Sequence, residues 1–169
     1  MKAILSLLVL IAVSFSLAQH DRANHSDHST HTHTDPSFAE KEAEVMPFDL
    51  DRTLHIFQDT ASGGIQKVIV NDESDQINIK LIREHLKKEA ELFAQGLFND
   101  PGYLHGDDMP GLEALKQAGA DGRLVVEYKD IEAGGQIIYS SIDLSVVIAL
   151  HLWFQAQVLD HGNHAVIGN

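Results

Sequence analysis

The chain has 169 residues, 44% of them apolar, which is enough for one domain with a real core and too few for two large ones. Its formal net charge of -13 argues against nucleic acid and anionic membrane surfaces as partners and favours cations, although acidity also serves solubility alone. Because the chain has no cysteine, it uses no disulfide, no thiol nucleophile and no thiolate metal ligand.

The first element is "MKAILSLLVLIAVSFSLAQ": a basic Lys2, an apolar run from Ile4 to about Val13, then Ser16-Leu17-Ala18 with small residues at a cleavage position. Residues 1–18 therefore read as a secretory signal peptide, which predicts a periplasmic or secreted protein. The run is short for a spanning helix and no stop-transfer pattern follows it, so no stable membrane insertion is expected after cleavage. Residues 19–45 then carry His20, His25, His28, His31 and His33 among Ser, Thr, Asn and Asp, with little to bury. That composition predicts a disordered segment. Its neutral imidazoles, closely spaced on a flexible chain, make an accessory trap for copper or zinc with poor selectivity between them. A polar linker in which histidine is incidental is the plainer alternative.

Residues 46–165 read as a single folded domain, and it repeats itself. "LHIFQDTASGGIQKVIV" predicts two strands around a Gly63-Gly64 turn, and "LVVEYKDIEAGGQIIYSSI" two more around Gly134-Gly135. A helix follows each hairpin. "LIREHLKKEAELFAQG" aligns without a gap on "VIALHLWFQAQVLDHG", pairing Ile82 with Ile148, His85 with His151, Leu86 with Leu152 and Gly96 with Gly162. The expected architecture is α+β: a duplicated ββα unit forming a four-stranded antiparallel sheet with two helices on one face, and the glycines as C-caps. Helical spacing puts His85 and His151 on or beside the buried faces, where they are either ligands of a paired-imidazole site or core histidines bonded to backbone or to an acid such as Glu89.

The connection 97–121 contains a turn at Asp100-Pro101-Gly102, then His105, Asp107, Asp108 and Met109, then a short helix begun by Pro110. Imidazole with thioether suits reduced copper, and imidazole with carboxylate suits zinc or Cu(II). His105 and Met109 could thus close as a lid over His85 and His151, with Asp107 or Asp108 orienting an imidazole; alternatively Met109 simply anchors the loop. His161 and His164, beside Asp160 at the end of the second helix, complete the candidate metal ligands or, alternatively, simply interact with the helix C-terminus, and 166–169 form a tail. His55 reads as a cross-strand packing residue.

From about Glu44 to Ala165 the chain resembles a family of small exported bacterial proteins of undefined function, through "MPFDL", "GGIQKV", "IREHL", "HGDDMPGL" and "ALHLWFQAQVLDHG". Members of that family sometimes carry the label aspartate carbamoyltransferase, but this chain does not support that activity. Carbamoyl phosphate requires a dense anion site, and Arg22, Arg52, Arg83 and Arg123 are scattered with no loop to join them. The chain also lacks a Gly-x-Ser-x-Gly elbow, a phosphate loop and a His-Glu-x-x-His helix. The leading expectation is an exported metal-handling protein that binds copper or zinc through histidines and is not an enzyme. The alternatives are a binding module with structural histidines and a small enzyme with its pocket between the helices and the connection.

Overall fold

The computed structural model describes residues 36–169, so the expected signal segment and the tail histidines His20, His25, His28, His31 and His33 lie outside the described residues. The order of elements is α1 (Pro36–Val45), β1 (Thr53–Thr60), β2 (Gly63–Val70), α2 (Gln76–Phe93), α3 (Asn99–His105), α4 (Leu112–Ala120), β3 (Val125–Ile131), β4 (Gly134–Ser140), α5 (Leu144–His161) and β5 (Ala165–Ile167). Residues from Pro36 to Val45 thus form a helix although composition assigns them to disorder. Burial of Glu42 and of Met46 just beyond the helix supplies contacts that offset its ordering cost.

The fold is α+β, but its sheet is not the four antiparallel strands that two hairpins predict. It has five strands in the order β3-β4-β2-β1-β5, and β5 lies parallel to β1 with His55 opposite Ala165 and Phe57 opposite Ile167. The sheet therefore recruits residues from the segment expected to be a tail. The hairpins themselves are present, pairing Thr60 with Gly63 and Ile131 with Gly134, so the turns fall at residues 61–62 and 132–133 and the glycine pairs open β2 and β4. There the absence of a side chain matters for strand contact. A Cβ on Gly63 would strike the carbonyl of Tyr139, and one on Gly134 would strike the carbonyl of Val68, across the β2–β4 pairing.

Helices α2 and α5 share one face of the sheet, because Tyr139 on β4 packs against Phe93 of α2 and against Trp153 and Phe154 of α5. Both helices are 18 residues long and both are N-capped by aspartate, Asp75 bonding the Asn78 amide and Asp143 the Ser145 amide. The gap-free helix match fails in register. Ile82 and Leu86 are buried, whereas Ile148 and Leu152 are 52% and 46% exposed. Aligning the helices on their aspartate caps pairs Ile82 with Leu150 and Leu86 with Phe154, all buried, two residues further along. Gly96 and Gly162 do take positive φ just past the helices, as C-caps require.

The connection is more helical than its composition predicts. Asp100-Pro101-Gly102 lies inside α3, where Pro101 sits in the first turn and its missing N–H leaves no intrahelical bond unmade. No helix among the described residues is long and apolar enough to cross a membrane.

Candidate metal centre

The periodicity of α2 buries Asn78, Ile79, Ile82, Leu86, Glu89, Ala90 and Phe93, so a carboxylate occupies an otherwise apolar stripe. His85 is one turn before Glu89 on the same helix, at the i, i+4 spacing that brings side chains together. The helix is fixed on the sheet by Arg83, whose guanidinium donates to the carbonyls of Gly134 at 3.0 Å and Ile131 at 2.6 Å. Asp100 comes from the first turn of α3, where the helix dipole favours an acid. One ligand atom from each of His85, Glu89 and Asp100 lies within 4.8 Å of the others.

These three residues line a cavity of about 50 Å³, together with His55 of β1, His105 of α3, and Trp153, Gln157 and His161 of α5. A space of that size holds an ion with a few waters. Three buried atoms in its wall, Nδ1 of His55, Oε1 of Glu89 and Nε1 of Trp153, have no hydrogen-bond partner among the described residues. Buried polar atoms without partners are uncommon because each costs the full desolvation of the group. Three around one cavity indicate a place built for something that bonds to them.

Burial holds Glu89 and His85 in their uncharged forms. Burial pushes the Glu89 carboxyl up to about 8, and the charge of Asp100 and the hydrogen bond it accepts from the protonated Glu89 push the same way. Glu89 therefore keeps at neutral pH a proton that a metal ion can replace. Burial also pulls His85 down to about 4, so its imidazole is neutral at pH 7 and able to ligate. His55 is held well below the usual histidine range, first by burial and then by repulsion from His161, while a bond to the His164 carbonyl acts in the opposite direction.

A second histidine group forms the rest of the wall. The rings of His55 and His161 stack at 5.0 Å, and His105 meets His161 edge-on at 4.9 Å. His161 bridges Glu42 of α1 at 3.2 Å and Gln157 at 3.1 Å, while Nδ1 of His105 lies 3.0 Å from the Asp160 carboxylate. Phe48 touches both His55 and His85, which ties the two groups together.

Of the six domain residues expected from sequence to bind metal, His85, His105 and His161 line this cavity, and Met109, His151 and His164 do not. His151 bonds through Nε2 to the Gly63 carbonyl at 2.8 Å and approaches Asp59 at 3.8 Å, beside the β1–β2 turn. The expected meeting of His85, His105 and His151 does not occur, since the two-residue helix shift turns His151 toward that turn. Met109 is buried in the core, and its Sδ receives a bond from Gln157 Nε2 at 3.6 Å, so it anchors the connection. His164 bonds to the Leu50 carbonyl at 2.9 Å. Asp107 is exposed and pairs with Lys116 at 2.5 Å, away from any imidazole-orienting role. Sequence reasoning missed His55 and Asp100 and saw Glu89 only as a neighbour. The carboxylate on an apolar stripe was the available signal.

No protein-family model, curated protein or solved structure matches the chain.

Proposed function

We propose that this chain is an exported metal-handling protein that holds a copper or zinc ion at His85, Glu89 and Asp100, with the histidine-rich segment before the domain as an accessory trap. The observation that carries this reading is the convergence of an imidazole and two carboxylates within 4.8 Å, one of them a buried glutamate with an unpartnered oxygen. One nitrogen and two oxygens suit zinc or Cu(II), and with the Met109 sulfur committed to the core the case for Cu(I) weakens. His105 and His161 support the ion from the surrounding wall, where their own bonds to Asp160 and Glu42 fix their rings. The signal-like pattern of residues 1–18 supports export.

The test is metal uptake by the full chain with His20, His25, His28, His31 and His33 changed to glutamine, which removes the trap and leaves the domain intact. One Zn(II) or Cu(II) per chain is expected, with affinity falling at least 100-fold in Glu89→Gln and in Asp100→Asn. No uptake, or uptake indifferent to both substitutions, overturns the reading. The two halves of the domain are, on the same footing, proposed to be copies of one ββα unit. The matching aspartate caps and the matching glycines at the heads of β2 and β4 support that history.

A further inference from the structure

A site that encloses its metal offers four protein ligands, and one that works on a ligand keeps a position open. His85, Glu89 and Asp100 supply three, and among the described residues no fourth histidine or acid has a ligand atom within 4.8 Å of all of theirs. Beyond them the same cavity presents two further buried atoms with nothing to bond. His55 is 4% exposed and Trp153 is 1% exposed. Their chemistry is complementary. A hydrogen bond to the backbone of His164 holds the His55 ring, and with Nδ1 the unpartnered nitrogen we assign the ring proton to Nε2, which leaves Nδ1 a lone pair. Trp153 Nε1 can only donate.

We infer that the ion at His85, Glu89 and Asp100 keeps one exchangeable position, held by a water or another small oxygen ligand bearing an O–H, which donates to His55 Nδ1 and accepts from Trp153 Nε1. The inference rests on the metal reading above and adds the class of ligand. A ligand with both an O–H and a lone pair satisfies both orphaned atoms. A bare anion satisfies only the indole N–H and meets the imidazole lone pair head-on. The cavity of about 50 Å³ has room for ligands of a few atoms. An open position of this kind separates a site for exchange or chemistry from a purely structural ion.

The experiment loads Cu(II) into the full chain carrying the five tail substitutions to glutamine and uses deuterium oxide and azide as probes. Pulsed electron paramagnetic resonance in deuterium oxide is expected to show a directly coordinated, exchangeable water, and azide is expected to displace it. His55→Leu removes the opposing lone pair and should tighten azide about tenfold. Trp153→Phe removes the donor and should weaken it about tenfold. Both variants alter the core, so each is read only where it retains Cu(II), and the water signal of the unsubstituted site stands without either. Bound Cu(II) with no coordinated water and no response to azide overturns the open position while leaving the metal reading standing. Azide affinities unchanged within twofold in both variants overturn the roles of His55 and Trp153. Absence of Cu(II) from the site overturns the metal reading, and the inference with it.

Discussion

Replacing Glu89 by glutamine should make the metal-free protein more stable at neutral pH. The side chain is 3% exposed, so its charge has no solvent to relax into, and its carboxyl titrates near 8 instead of 4.5. Below pH 4.5 the carboxyl is protonated whether the chain is folded or not, and glutamine is a close substitute whose amide can donate to Asp100 as the Glu89 proton does. Between 4.5 and 8 the unfolded chain releases its proton and the folded chain keeps it, so folding of the wild type weakens as pH rises. At about 1.4 kcal/mol per pH unit, the wild type has lost about 3 kcal/mol by pH 7, and the glutamine variant recovers it. For a domain of this size that is a rise in Tm of roughly 10 °C. Chemical denaturation of both proteins in chelator, from pH 5 to 8, measures the difference directly. His85 contributes the opposite slope, with stability lost as pH falls from 6.5 toward 4, but equally in both proteins, so it cancels in the comparison. A variant less stable than wild type at pH 7, or a difference that does not grow between pH 5 and 8, refutes the argument.

Zinc affinity of the domain site should climb up to tenfold per pH unit below about 8, because the ion displaces the Glu89 proton, and level off above it; calorimetric titrations across that range measure the slope. Leu86→Ala should cost on the order of 2 to 5 kcal/mol and Leu152→Ala under about 1, as equilibrium unfolding will show, because the first leucine is 2% exposed and the second 46%. Gly134→Ala should cost on the order of 3 kcal/mol or prevent folding, since a methyl there meets the Val68 carbonyl across the β2–β4 pairing; a change within about 0.5 kcal/mol in the same assay would contradict that contact.

The hairpins were legible because alternating apolar residues and glycine pairs are strong local signals, yet the glycines serve β2–β4 contact, a non-local demand that the turn rules absorb by mistake. β5 was illegible for a related reason. Three residues, Ala165 to Ile167, carry no periodicity and become a strand only because β1 offers a free edge. The register of α5 escaped because the helix is apolar on more than one side. Leu144, Ile148, Leu152 and Leu159 are exposed, so periodicity alone does not say which stripe is buried. At the candidate site, three of six proposed ligands were found together because they sit near helix ends or buried stripes. Asp100 was hidden in an Asp-Pro-Gly stretch that reads equally well as a turn and as a helix start. His55 was hidden because a strand histidine is usually a packing residue, and only the neighbouring helices determine what it faces.

The position of Asp100 has a mechanical consequence. It stands at the head of α3, and His85 and Glu89 stand on α2, with the loop through Gly96 between them. An ion held by all three ties the two helices across a loop of about eleven residues, from Glu89 to Asp100, a length whose closure removes roughly 3 kcal/mol of freedom from the unfolded chain when a covalent bridge does it. In a chain with no cysteine, the cation would act as a detachable cross-link. Chelation would leave the α2–α3 joint as the first place to open to a protease, and metal supply, in place of redox state, would set how firmly the domain is closed.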